Sequence, residues 1–324
     1  MNQDQIKQLN EAVEAVKTRK IENVYFVACG GSKAIFDPAQ FIFDRETTLP
    51  SFVYNANEFI HRCPKGLGEN SLVVTCSHSG NTLETTRATQ LAGDKGALTI
   101  SFSYRVDSPL WKATQHPISY VWGPESDPGD NNNGMLYRLV FSILNVLQPN
   151  EKYERAIKAC DNLGKVYEAN KAKFAESAKA FGKKYKNNKL IYTMSSGPCY
   201  GVAYSFAICL LQEMQWIHSG TIHTGEFFHG PFEVTDANTP FVIQVSEGST
   251  RELDERCLKF LHTYAKRIEV LDAKELGLSV IDPAVVDYFN HSLFNNVYPI
   301  YNHALAETRQ HPLTTRRYMW KVAY

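Results

Sequence analysis

Residues 71–82, SLVVTCSHSGNT, decide the fold of this 324-residue chain. The first six form an apolar run as long as a buried strand, and the last six form a hydroxyl-rich turn before helical spacing begins near Leu83. The same order of strand, Gly/Ser turn and helix occurs at residues 23–32 and again from residue 189. Strands separated by helices predict parallel, doubly wound α/β sheets in both halves of the chain.

Further apolar runs complete the prediction of two domains. Strands are also expected at residues 97–102, 240–245 and 267–271, with helices at 135–147 and 251–265. A Lys/Ala-rich helical stretch separates the halves, since residues 151–186 contain no strand-like run. We therefore predict an N-terminal domain at 1–150, a helical connector at 151–188 and a C-terminal domain at 189–324.

Composition limits the classes of partner. Hydrophobic residues make up 44% and charged residues 21%, and 34 basic residues balance 34 acidic ones. No apolar run approaches the roughly 20 residues that cross a bilayer, and no net charge favours nucleic acid. Residues 1–20 show helical rather than signal-peptide patterning, and the seven cysteines form no C-x-x-C pair. The sequence thus predicts a cytoplasmic protein with buried thiols and no membrane or nucleic-acid partner.

The turn at residues 77–82 is a candidate phosphate site. Ser77, Ser79 and Thr82 supply hydroxyls, and His78 lies among them, at a predicted helix N-terminus where free N–H groups favour an anion. The alternative is that these hydroxyls only cap the helix. Neither the Walker A motif nor the dinucleotide fingerprint is present, which disfavours ATP and NAD.

A second informative stretch, residues 211–232, concentrates acidic residues and histidines among aromatic ones. Glu213 lies in an otherwise apolar helix, where desolvation would raise the carboxyl pKa and suit it for proton transfer; an ion pair or a solvent-facing side chain is the alternative. His229 lies in a rigid His-Gly-Pro turn and has either a catalytic or a structural role. His218 and His223 lack the spacing of a zinc motif, so no metal is expected.

Four motifs carry a resemblance that covers nearly the whole chain. They are VACGGS (27–32), SHSGNT (77–82), the stretch EMQWIHS…GEFFHGPFE (213–233) and HPLTTRRYMWKVAY (311–324). The chain resembles the SIS (sugar isomerase) superfamily and, within it, the fructosamine-phosphate deglycases. The resemblance is strongest to deglycases of 6-phosphofructose-aspartate, and next to the fructoselysine and α-fructosamine types.

That resemblance implies the architecture and the site. It implies two SIS domains, each with a parallel five-stranded sheet flanked by helices, and a homodimer whose active sites lie at the subunit interface, without cofactor or metal. Its general acid and base correspond to Glu213 and His229. The implied substrate-binding residues are Gly31, Ser32, Ser77, His78, Ser79 and Thr82, with Lys321 as the counterpart of a lysine near the C-terminus of a related synthase.

The resemblance also implies an activity. A deglycase of fructose-asparagine catabolism would cleave 6-phosphofructose-aspartate to glucose 6-phosphate and a free amino acid by acid–base catalysis. Isomerase relatives carry a lysine shortly before the helix glutamate, where this chain reads ICLLQ (208–212), so isomerisation loses support. Open alternatives are a lysine or α-linked conjugate, a sugar-phosphate aldose–ketose isomerase and a non-catalytic sugar-phosphate sensor. The tail cations Arg316, Arg317 and Lys321 are candidates to meet the substrate's carboxylate.

Overall fold

A parallel sheet organises Met1–Gly164, the first of two units into which the chain divides. The computed structural model describes residues 1–123 and 126–323. The five strands are β1 (Asn23–Ala28), β2 (Ser51–Asn55), β3 (Ser71–Cys76), β4 (Leu98–Ser103) and β5 (His116–Ser119). Their spatial order is β2-β1-β3-β4-β5. Strands β3 and β4 are buried along their whole length, as their unbroken apolar runs predict.

The helices of this unit pack in two groups, as a doubly wound sheet requires. Helix α7 contacts both α1 and α3, whereas α4 contacts α5. The helices are α1 (Gln3–Lys17), α2 (Gly30–Ala34), α3 (Phe36–Glu46), α4 (Ala56–Arg62), α5 (Leu83–Asp94), α6 (Pro109–Ala113), α7 (Asn132–Leu147) and α8 (Glu151–Cys160).

A second parallel sheet organises Lys165–Tyr324, of which Tyr324 lies outside the described residues. Its strands are β6 (Leu190–Ser195), β7 (His218–His223), β8 (Phe241–Val245) and β9 (Ile268–Asp272), in the order β7-β6-β8-β9. The helices are α9 (Leu163–Tyr185), α10 (Tyr200–Ser205), a π-helix (Phe206–Met214), α11 (Arg251–Tyr264) and α12 (Asn290–Arg309). Short 3₁₀ segments are Gly197–Cys199, Pro231–Val234, Leu278–Val280 and Val286–Phe289.

The prediction of five strands in each sheet is correct for the first sheet and wrong for the second. In the described part of the chain, β9 is followed by turns and 3₁₀ segments and then by α12. Pro283 interrupts this region and has no N–H to donate to a strand ladder. Buried residues of α12, including Phe294, Val297 and Tyr298, instead supply apolar surface to the unit.

Three strands that the sequence analysis did not predict all lie at sheet edges. The six predicted strands are confirmed to within one residue at either end, whereas β2, β5 and β7 were missed. An edge strand pairs on one side only and tolerates polar residues and proline, as Pro117 in β5 and Ser219 in β7 illustrate. Their hydrophobic pattern is therefore too weak to read from the sequence.

The dividing point between the units lies between Gly164 and Lys165, inside α9. It falls within residues 151–188, the predicted connector, and the domain limits given above stay a prediction. Among the described residues, no helix has both the length and the apolarity needed to cross a bilayer.

Candidate functional site

Two loops leave the first sheet side by side at the point where its strand order reverses. The chain passes from β1 to β2 on one side and returns to β3 on the other, and Ala28 pairs with Cys76 at the last position of both strands. The Ser32 side chain lies close enough to the Cys76 thiol to lower its pKa, against the larger opposite effect of burial. Gly31 and Ser32 thus lie beside the turn at 77–82, in the crevice where open α/β sheets bind ligands.

The hydroxyls of this turn do not cap the following helix. Ser77 Oγ and Thr82 Oγ1 are hydrogen-bonded to each other at 2.9 Å, and Ser77 Oγ accepts from the Gly80 N–H at 3.1 Å. Thr82 is the N-cap residue of α5, yet its side chain accepts no hydrogen bond from the first turn. The helix N-terminus therefore keeps donors for an anion, which supports the phosphate interpretation over simple capping.

Gly80 sets the conformation of this turn and provides a stability test. Its φ is +65°, and a Cβ there would lie 2.0 Å from Ser108 Oγ. We expect Gly80→Ala to lower the free energy of unfolding by about 2 kcal/mol or more. The backbone strain of alanine at a positive φ and the overlap of its Cβ with Ser108 both contribute. The matched control is Gly93→Ala in α5, whose added Cβ would meet nothing within 4 Å and which should gain up to about 1 kcal/mol. Urea unfolding measures both, and equal stabilities would contradict this account.

An aromatic group surrounds His78. The imidazole stacks on Tyr104 with ring centroids 5.1 Å apart, and Nδ1 lies 3.0 Å from the Tyr120 hydroxyl. Removal of water from the ring, with a smaller effect of the Arg105 charge, lowers the pKa of His78. At neutral pH this histidine therefore offers the site a neutral ring rather than a cation.

Two cysteines near strand ends, Cys76 and Cys199, are inert thiols. Burial raises the pKa of Cys76 to about 12 and that of Cys199 well above its ordinary value. All seven cysteines lie in the described residues, and none of them forms a disulfide. A thiolate nucleophile is therefore not available at either position at neutral pH.

The corresponding crevice of the second sheet is occupied by a side chain of the protein itself. Asp254, fully buried, accepts hydrogen bonds from Ser196 Oγ at 2.7 Å and Thr224 Oγ1 at 2.8 Å. It also accepts from Ser246, through the backbone N–H at 3.0 Å and Oγ at 2.8 Å. Hydroxyl and N–H groups of this kind could bind a phosphate, but here the Asp254 carboxylate already accepts their hydrogen bonds.

Glu213 lies near the end of a π-helix, Phe206–Met214, where the sequence predicted an ordinary helix. The wider turn changes which side chains share a face, and π-helical segments occur frequently at functional sites. Trp216 lies two residues beyond the end of this helix, and its φ of +54° lies in the left-handed region that bulky residues rarely adopt.

The Glu213 carboxylate forms an ion pair with the C-terminal tail, residues 310–323. Arg316 Nη2 donates to Glu213 Oε1 at 2.6 Å, and the exposed fractions of the two side chains are 7% and 22%. The expectation of a desolvated carboxyl without a partner is therefore replaced by its alternative, an ion pair. The guanidinium is itself held, since Nη1 donates to the carbonyls of Leu313 and Thr315.

The tail is tied to the turn that follows the π-helix. Gln215 Nε2 donates to the His311 carbonyl at 3.1 Å, and the His311 ring meets Trp216 edge-on at 4.6 Å. An open cavity of about 700 Å³ lies between these segments. Its lining includes Glu213, Trp216, His218, Arg316, Arg317 and Tyr318. Lys321 donates to the Arg316 carbonyl at 2.6 Å and so braces the tail.

His229 is exposed on the turn after β7. Its backbone N–H donates to the Glu226 carbonyl at 2.9 Å, which fixes the turn. Within residues 1–123 and 126–323, its imidazole makes no hydrogen bond and does not line the cavity that contains Glu213. The ring is thus presented to solvent, and its catalytic role stays a prediction.

Comparison with known proteins identifies the family. The SIS domain model matches residues 17–147. Over 319 residues, 98% of this chain and 97% of the relative, the sequence is 48% identical to fructosamine deglycase FrlB of Bacillus subtilis. The chain belongs to the SIS-domain fructosamine deglycase family.

Two further similarities agree with membership of this deglycase family. The fructoselysine 6-phosphate deglycase of Escherichia coli K12 is 29% identical over 273 residues, 82% of this chain and 77% of that protein. A crystal structure from Bacillus subtilis, described as that of a candidate phosphosugar isomerase, superimposes with a TM-score of 0.96 at 47% identity. That alignment covers 98% of this chain and 97% of the other.

Two features of this chain were not foreseen in the sequence. Arg316 was considered as a ligand for the substrate and not as the partner of Glu213, which lies 103 positions away in the chain. Asp254 gave no signal because an acidic residue in a helical first turn is common. In the described part of the chain, no three His, Cys, Asp or Glu side chains come together as metal ligands would.

Proposed function

We propose that this chain is a hydrolase of phosphorylated fructosamines, with 6-phosphofructose-aspartate as its substrate and no cofactor. The observation that carries the proposal is the 48% identity, over 98% of the chain, to a fructosamine deglycase. The products are glucose 6-phosphate and the free amino acid. A lysine or α-linked conjugate is the alternative substrate within the same class.

The loops of the first sheet are the proposed phosphate site. Ser77, Ser79 and Thr82 supply hydroxyls, Gly31 and Ser32 supply the neighbouring loop, and His78 supplies a neutral ring. The uncapped N-terminus of α5 adds backbone donors. The second sheet is a poor alternative, because Asp254 already holds the donors there and would repel a phosphate.

Glu213 and His229 are the proposed acid–base pair. One group takes a proton from C1 of the ketose, and the other delivers a proton to C2. The N–H proton is lost and O2 gains a proton, so the ketone becomes a hydroxyl and the double bond moves to C1 and nitrogen. Water then adds at C1, the amine takes up a proton, and the C1–N bond breaks to leave the aldehyde of glucose 6-phosphate. One water is consumed for each amino acid released, and no oxidant is required.

A homodimer in the cytoplasm is the proposed setting. Tyr318 and Trp320 of the tail are 69% and 77% exposed in the single chain, an extent of aromatic surface that a second copy would cover. Seven cysteines without a disulfide agree with a reducing compartment. Sedimentation should give twice the 36.7 kDa chain mass, and a monomer at assay concentration would contradict a site shared between subunits.

A coupled assay for glucose 6-phosphate tests the function. It compares 6-phosphofructose-aspartate, its lysine counterpart and fructose 6-phosphate, the last because similar solved structures are described as candidate isomerases. Turnover of the aspartate conjugate is the expected result. Turnover of the lysine conjugate alone would correct the substrate, and turnover of fructose 6-phosphate alone would replace the deglycase with an isomerase.

A further inference from the structure

We propose that Arg317, stacked on Trp216, binds the carboxylate of the amino acid carried by the substrate and so determines specificity for amino-acid conjugates. This inference rests on the proposed function, because it assumes that a fructosamine phosphate enters the cavity beside Glu213. It assigns to the cavity a subsite for a carboxylate, separate from the groups that move protons.

The three tail cations, Arg316, Arg317 and Lys321, differ in the hydrogen bonds and ion pairs that they already form. Arg316 is nearly buried and is committed to Glu213 and to two carbonyls. Lys321 donates to the Arg316 carbonyl. Arg317 lines the cavity with its side chain exposed, and in residues 1–123 and 126–323 its guanidinium makes no hydrogen bond or ion pair. Its five N–H donors are thus available to a ligand.

The indole of Trp216 fixes where the Arg317 charge lies. The guanidinium carbon is 4.0 Å from the ring centroid, a close cation–π contact. Trp216 is in turn held by its left-handed backbone and by an edge-to-face contact with the His311 ring, whose centroid lies 4.6 Å from that of Trp216. Strained backbone of this kind persists where surrounding contacts impose it, and it clusters at functional sites.

The ligand class follows from the charge and shape of this group. A planar guanidinium with open donors recognises a carboxylate in bidentate fashion, and stacking restricts the orientation in which it does so. Glu213 lines the same cavity and is neutralised by Arg316, so it does not cancel the Arg317 charge. Because the phosphate of the substrate is assigned to the loops of the first sheet, the amino-acid carboxylate is the anionic group that remains to match this cation.

The test compares two conjugates that share the 6-phosphofructose part. One carries aspartate, and the other carries propylamine, which has no carboxylate. Arg317→Ala should raise KM for the aspartate conjugate by about 10- to 100-fold, the range of a charge-assisted hydrogen bond, and leave kcat within a few-fold. KM for the propylamine conjugate, or Ki where it is not turned over, should stay within about twofold of wild type.

Two control variants separate recognition from general effects. Arg62→Ala removes another exposed arginine stacked on an aromatic ring, that of Tyr54 at 5.3 Å, and should change neither constant. Arg317→Lys keeps the charge without the planar fork and should recover part of the loss. Equal changes for both conjugates in Arg317→Ala, or none, would overturn the inference while the function stands. A wild-type enzyme inactive on both the aspartate and the lysine conjugate would instead reject the proposed function.

Discussion

Glu213→Gln should lower kcat by about 10²- to 10⁴-fold, the usual effect of removing one positioned acid–base group. Glutamine has the same shape and its oxygen can still accept from Arg316 Nη2, which donates to Glu213 Oε1 at 2.6 Å. The cavity therefore keeps its form while losing a group that can exchange a proton. The measurement is steady-state release of glucose 6-phosphate from the conjugate that the wild type turns over fastest.

Glu255→Gln is the matched control for this substitution. Glu255 also pairs with an arginine at 2.6 Å, through Arg251 Nε, but on α11 and with 55% of its side chain exposed. It should keep wild-type turnover. Because Glu213→Gln leaves the Arg316 charge without its partner, thermal unfolding must be recorded as well. A folded Glu213→Gln enzyme with near-normal kcat would rule out the proton-transfer role.

His229→Ala should cause a loss of similar size in kcat, because its imidazole is the other proposed proton carrier. The side chain is exposed and its ring makes no hydrogen bond among the described residues, so folding should be unaffected. His262→Ala, an exposed histidine on α11, is the control and should remain active. A stability loss in His229→Ala with kcat retained would indicate a structural histidine instead.

The two inactive variants together test whether the site is shared between subunits. If Glu213 of one copy acts with His229 of the other, each mixed dimer contains one intact site. Random exchange between Glu213→Gln and His229→Ala chains should then restore about one quarter of wild-type activity, since half of the dimers are mixed. No recovery after verified subunit exchange would place both groups in one chain and remove the shared interface.

Strand pattern and turn chemistry were sufficient to predict much of the fold. Strands β1, β3, β4, β6 and β8 were predicted because their apolar runs follow from burial between layers. Strand β9, at a sheet edge with one buried residue, was predicted from Ile268, Val270 and Leu271. The other three edge strands, β2, β5 and β7, were missed because each pairs on one side only and contains polar residues or proline that weaken the apolar pattern. The hydroxyl-rich turn at residues 77–82 was predicted as a candidate phosphate site because strand, turn and helix succeed one another directly in the chain.

The sequence by itself determined that two parallel α/β units form and which loops carry hydroxyls at helix N-termini, because these properties depend on neighbouring residues. Only the tertiary structure decided which partners the acidic side chains bind. Glu213 and Arg316 are 103 positions apart in the chain, and Asp254 gathers donors from three separate loops. Such pairings depend on how distant segments pack, and the local sequence pattern does not predict that packing.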